Sequence, residues 1–301
     1  MKGAITYALF KDEGVEGQPS GFNFNCYLRG MMINIRLNKL LFPEWTTLIE
    51  IDKNVYDKYF NLFNKLKQGG WIDFRVNEPE PLTKAMLWRL KPCFEVGTDG
   101  FKVWDYVLCR DLDSPATYRE AQAVQYWMNR DKAAHAITDS VSHDVPMLGG
   151  MIGFIPKYFT DKMQQNDWNA MFYGVNIDFS RKGADQDFLT QYVYPKFAQH
   201  GTDSITQHYF KGMPNSYLSD YQTCLCEPPR GHDVHCKHNI ELDLPIEMKE
   251  ANGLAGHIGA AGFYTTTTYN FLTKHRDKFT ELYEIEKDYP MEFHWINDKS
   301  F

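Results

Sequence analysis

The chain has 301 residues, 43% hydrophobic, 15% aromatic and 24% charged, which suits one large α/β domain or two small ones and excludes a peptide hormone, a disulfide scaffold or large-scale disorder. Lys and Arg number 32 against 39 Asp and Glu, so the net charge of −7 provides no mean field for polyanions, though it allows a local basic groove. The N-terminal MKGAITYALFKDEGVEG has too short an apolar run for a signal peptide, and no stretch reaches the roughly 20 apolar residues of a membrane span; a cytoplasmic chain is expected.

Residues 4–10 (AITYALF) predict a strand, and the polar, Gly- and Pro-punctuated stretch that follows predicts a loop of the kind that faces a ligand. Apolar residues at near-helical spacing from Phe22 to Leu41 predict a helix that stops before Pro43. Trp45 to Ile51 returns to β-branched character. Then come a helix over Val55–Lys67, a Gly69-Gly70 stop, a strand over Trp71–Val76, a helix over Leu82–Leu90 and a strand over Val103–Cys109. Strands alternating with helices in this way predict right-handed βαβ crossovers and a mainly parallel sheet, with ligands gathered at the carboxyl ends of its strands. Cys26, Cys93 and Cys109, too sparse for a disulfide framework, read as small buried hydrophobes.

At the end of the fourth predicted strand stands Arg110-Asp111-Leu112-Asp113-Ser114. Two carboxylates one residue apart, where a strand opens into a loop, can face one small hard cation. The plainer reading is a helix cap, with Asp113 or Ser114 capping the helix that begins near Tyr118. A helix over Glu120–Met128 and a short strand over His135–Thr138 follow, then a polar turn with Asp139 and His143 and an apolar stretch, Met147–Phe154. Gly149, Gly150 and Gly153 in that stretch suit a wall against a ligand as well as they suit tight packing. Farther on, Gly183-Ala184-Asp185-Gln186-Asp187 opens an amphipathic helix reaching Tyr192, where the acids complement the helix dipole.

Taken together, LCRDLDS, YREAQAVQYWM, HAITDSVSHDVPMLGGMIGF and ADQDFL resemble glycosyltransferases of the GT-A fold. More narrowly, they are similar to a group of bacterial and viral sugar-transferase-like proteins with RDxDS, H-x-x-RD-x-x-x-H and DQ-x-FL motifs. The match is good over residues 88–189, holds only by pattern for the first strands, and hardly extends to the last third. Thr138 departs from it, standing where the group tends to have Arg before Asp139. The resemblance implies a single GT-A-like α/β domain with a Rossmann-type, mainly parallel central sheet flanked by helices. Residues 1–114 would form the nucleotide-sugar half and 115–301 the acceptor half and C-terminal tail. It further implies a nucleotide-sugar donor and Mn²⁺ or Mg²⁺ held by Asp111 and Asp113 between the donor phosphates. Arg110 and Arg119 would contact phosphate or form intramolecular salt bridges, and the loop from Phe10 would lie against base and ribose. The segment ADQDFL resembles the DQD helix start of retaining members, in which Asp185 contacts the sugar and Gln186 lies near the anomeric carbon. An inverting enzyme would need a general base, for which Asp139, Asp185 and Asp187 are candidates. Many GT-A enzymes complete the metal shell with a histidine, and here His257 leads His143 and His208.

Cys224, Cys226, His232, His235, Cys236 and His238 place soft donors close together, a candidate structural zinc site. Their spacing matches no familiar module, so a polar loop is the alternative. The tail from Thr273 reads as an amphipathic helix packing back on the core. The function expected is transfer of a sugar to a hydroxyl of a glycan or of a hydroxymethylated DNA base. DNA would need a basic track, with Arg29, Arg36, Lys39, Arg181 and Lys182 as candidates and the base flipped out of the duplex. Competing readings are a non-catalytic module of the same fold with a zinc-stabilised loop, and a nucleotidyltransferase, for which GVEGQPSG is a poor phosphate loop.

Overall fold

Strand β1 (Gly3–Leu9) is apolar on both sides, and that composition places it at the centre of a sheet covered on both faces. Ile5, Tyr7 and Leu9 pack on one face and Ala4 and Ala8 on the other. The same alternation recurs along β2 (Trp45–Asp52) and β4 (Tyr106–Arg110), where Ile49 and Leu108 share the first face and Leu48 and Val107 the second. The computed structural model describes residues 1–10, 24–130, 132–138, 145–198, 204–209, 223–224 and 272–289, without the side chains of residues 25, 26, 118, 119, 209, 223 and 224.

Eight described strands form one sheet in the order β3-β2-β1-β4-β6-β5-β7-β8. The remaining members are β3 (Asp73–Asn77), β5 (Ala134–Thr138), β6 (Met151–Phe154), β7 (Ile205–Tyr209) and the short β8 (Thr223–Cys224). All pairings are parallel except those of β6 with β4 and β5, so β6 alone runs against the rest.

The first face carries α1 (Phe24–Leu41), α3 (Phe60–Gln68), α5 (Tyr118–Met128) and α9 (Thr280–Lys287), through Met31, Leu62, Val124 and Leu282. On the second face, α4 (Leu82–Met86) tightens into a 3₁₀ stretch, Leu87–Phe94, that packs beside α6 (Pro156–Met163). The same face carries α7 (Ala184–Phe188), a π-helical turn at Leu189–Val193 and α8 (Tyr194–Phe197). The architecture is therefore α/β with a mostly parallel mixed sheet between helical layers. The helix predicted over Val55–Lys67 is two, α2 (Lys53–Lys58) and α3, broken at Tyr59. The tail does return to the core: Leu282 is buried, and Glu286 meets the buried Arg36 of α1 at 2.6 Å. Cys93 and Cys109 are buried free thiols, as their apolar surroundings predict. No helix among the described residues is long and apolar enough to cross a membrane.

Candidate active site

β2 and β3 extend the sheet on one side of β1, and the chain then returns to lay β4 on the other, so the strand order reverses between β1 and β4. A crevice opens beyond the carboxyl ends of strands at such a reversal. A cavity of about 220 Å³ lies there, walled by Leu9 and Phe10 at the end of β1 and by Asp111 and Asp113 just past β4. Gly149, Gly150, Arg89, Asp185 and Gln186 supply further walls. A larger groove lies at the other end of the sheet, beside Met1 and Tyr106, and has none of these groups on its walls.

The loop that carries the two aspartates is pinned from below. Asn34 of α1, fully buried, donates through Nδ2 to the carbonyls of Leu112 (3.3 Å) and Ser114 (3.0 Å). Its Oδ1 accepts from the N–H of Ala116 at 2.9 Å. Asn34→Ala removes all three bonds at once, and because each unsatisfied buried group costs about 1–3 kcal/mol, denaturant unfolding should show a loss of at least about 2 kcal/mol. The cap of α5 is Thr117, whose hydroxyl accepts from Glu120 N–H at 3.2 Å. Neither Asp113 nor Ser114 caps that helix, and the carboxylate of Asp113 is left to the cavity.

Asp111 keeps 47% of its side chain exposed and forms an ion pair with Arg89, which is itself 6% exposed. Burial opposes the charge of Arg89, but the carboxylates of Asp111 and then Asp185 outweigh it, and the guanidinium is held more firmly protonated than usual. Arg89 is anchored by its Nε, which donates to the Met86 carbonyl at 2.8 Å. Asp113 is pushed up to about 7, first by burial and then by the negative charge of Asp111. Burial also raises the pKa of Asp185, against the pull of Arg89, and Gln186 Nε2 donates to its Oδ2 at 3.3 Å. The Oε1 of Gln186 has no hydrogen-bond partner among the described residues.

The glycines divide by role. A Cβ on Gly150 would overlap the carboxylate of Asp111, and one on Gly149 would meet Arg89 Nη2 at 2.8 Å and Gln186 Nε2 at 3.1 Å. A side chain at either position would displace a charged or polar group of the cavity, so these two form its wall. Gly153 is a packing glycine, since a Cβ there would sit 2.7 Å from both His135 and Leu108.

Three of the expected site residues lie elsewhere. Arg110 points into the first-face layer, 2% exposed and 2.8 Å from Glu120, so it has a buried salt bridge in place of a phosphate contact. Asp187 faces outward and pairs with the exposed Arg181, away from the cavity walls. His208 is buried in β7 among Tyr126 and His135, and it does not line the cavity. Phe10 does line the cavity, set edge-on to Trp88 with ring centres 6.2 Å apart. Asp139, His143, His257, Cys226, His232, His235, Cys236 and His238 lie outside the described residues, as do the side chains of Arg119 and Cys224.

Burial, then the charge of Arg130, depresses the pKa of His208 to about 3. Between an unfolded value near 6.5 and that folded value, the unfolded chain takes up a proton that the folded chain refuses, so stability falls as pH falls. The stability advantage of wild type over His208→Gln should shrink by roughly 1.4 kcal/mol per pH unit below about 6.5, read from denaturant titrations at several pH values.

The donor set suits a hard cation on chemical grounds, because it consists of carboxylate oxygens whose mutual repulsion and burial a bound positive charge would relieve. Among the described residues no group of three or more His, Cys, Asp or Glu forms a metal cluster, so the rest of a coordination shell would come from ligand phosphate and water or from residues outside the description. Comparison of the sequence with protein-family models and with curated proteins finds no match.

Proposed function

We propose that this chain is a metal-dependent glycosyltransferase of GT-A type that moves a sugar from a nucleotide-sugar donor to an acceptor hydroxyl. One observation carries the reading. Asp111 and Asp113, Gly149 and Gly150, and Asp185 and Gln186 belong to segments far apart in sequence, and all line one cavity at the strand-order reversal.

Asp111 and Asp113 would hold Mn²⁺ or Mg²⁺. When bound, the cation supplies charge neutralisation for the departing nucleoside diphosphate. Arg89, fixed between Asp111 and Asp185, adds a permanent positive charge to the same cavity, placed to bind anionic or hydroxyl oxygens of the donor. The Gly149-Gly150 turn lets the backbone approach the ligand closely, and Phe10 offers a ring to the base. Gln186 presents its carbonyl oxygen, unpartnered among the described residues, as an acceptor for a sugar hydroxyl or as the group facing the anomeric carbon in a retaining reaction. For an inverting reaction, Asp185 is the cavity-lining carboxylate whose raised pKa suits a general base.

A glycan acceptor is favoured over a DNA base by the state of the basic residues. Arg36 is buried against Glu286, out of reach of any phosphate, and the exposed Arg181 is already paired with Asp187.

The test is a thermal-shift panel of nucleotide sugars with and without Mn²⁺. A ligand that binds the native state at a hundredfold excess over its Kd adds about 2.7 kcal/mol, so the right donor with Mn²⁺ should raise Tm by several degrees. No response to any donor would turn the reading toward a non-catalytic module of the same fold.

A further inference from the structure

Arg110 ends β4 on the face that α1 and α5 cover, and its guanidinium joins pieces of the site that the backbone does not connect. Nη1 donates to the carbonyl of Gly150 at 2.8 Å and Nη2 to the carbonyl of Pro115 at 3.3 Å. Nε stands 2.8 Å from Oε1 of Glu120 on α5, with both side chains at most 3% exposed. Pro115 closes the loop that bears Asp111 and Asp113, while Gly150 is the residue whose missing Cβ makes room for the Asp111 carboxylate. A buried ion pair by itself adds little net stability over apolar packing. A planar fork that reaches one carbonyl in each of two separate loops instead specifies a distance between them.

We propose that Arg110 is a positioning residue that fixes the spacing between the carboxylate loop and the glycine turn. It touches neither ligand nor reacting atoms, and it acts through the two backbone carbonyls it holds. Lysine at this position keeps the charge and the aliphatic stem but cannot span both acceptors in the same geometry. The importance of that spacing for cation binding rests on the function proposed above; the spacing itself does not.

The decisive experiment is hydrogen exchange on the full chain, comparing wild type with Arg110→Lys and Glu120→Gln. In Arg110→Lys, amides of residues 111–114, 116 and 149–151 should exchange about tenfold faster, the effect of losing one buried hydrogen bond, while β1 and β2 keep their protection. Glu120→Gln removes the charge partner and leaves both carbonyl bonds of Arg110 in place, so exchange in the two segments should stay near wild type even if Tm falls. Mn²⁺ affinity, followed by electron paramagnetic resonance, should weaken by about 10–100-fold in Arg110→Lys alone.

The proposal is overturned if exchange in the two segments is unchanged in Arg110→Lys, if it rises evenly over the sheet, if the variant does not fold, or if Glu120→Gln reproduces the local effect. A wild-type chain that takes up no Mn²⁺ would instead remove the metal-dependent function, and the exchange data would still decide the role of Arg110.

Discussion

Asp113→Asn should abolish the Mn²⁺-dependent part of donor stabilisation and slow sugar transfer, or donor hydrolysis without acceptor, by about 10²–10³-fold. The cause is local. Asp113 lies in the cavity beside Asp111, and both burial and that neighbour resist its ionisation. A cation would satisfy this carboxylate, whereas an amide offers a neutral oxygen and no counter-charge. The folded apoprotein should be as stable as wild type or more so, because the substitution removes one of two repelling carboxylates. Loss of catalysis with retained or raised Tm is therefore the signature, to be measured by turnover assay and thermal denaturation on the same preparation. An Asp113→Asn chain that turns over normally with Mn²⁺ would end the metal-site reading.

Gly150→Ala should be nearly as damaging for a different reason. The added methyl would occupy the space of the Asp111 carboxylate. That side chain can rotate away, but only by leaving Arg89, which holds one of its oxygens. The other outcome is retreat of the turn, which would pull the Gly150 carbonyl from Arg110. Either way the cavity loses its arrangement for an overpacking cost of about 1–3 kcal/mol, well within what a folded domain tolerates. The expected result is a folded protein whose cation affinity falls by at least tenfold, measured by titration against wild type. Gly153→Ala makes a useful contrast: its clash is with His135 and Leu108 in the core, so it should lower stability without a selective effect on the site.

The strands were legible in the sequence because buried parallel strands are short apolar runs, and AITYALF, WTTLIEI and WDYVLCR differ sharply from their flanks. The acidic pair was legible because it follows such a run directly. Arg89 was missed. It lies in LWRLKPCF, and its one signal is a charged residue set between Trp88 and Leu90 in a largely apolar helical stretch, which marks a buried cation in need of a carboxylate. Asn34 carried a similar signal, since with Met31, Ile35 and Asn38 it falls on the buried stripe of α1. The exclusion of Asp187 could have been foreseen from geometry: two residues along a helix turn a side chain by about 200°, so Asp185 and Asp187 cannot face one cavity. The inward turn of Arg110 was not readable, because a residue at a strand end has no fixed face until its partners are known. Nor does an amphipathic pattern distinguish an ordinary helical turn from the wider one at Leu189–Val193.

The reversed strand has a consequence for how such a site can change. Because β5 rises to the same rim from which β6 descends, the last residue of β5, Thr138, and the first of β6, Met151, stand at one edge of the sheet, and Met151 lines the cavity. Insertions or deletions there need not shift the register of any strand, in contrast to a crossover that must travel the length of a helix. The length of chain between those two strands can therefore change while Asp111, Asp113 and Arg89, held by β4 and the 3₁₀ segment Leu87–Phe94, stay where they are.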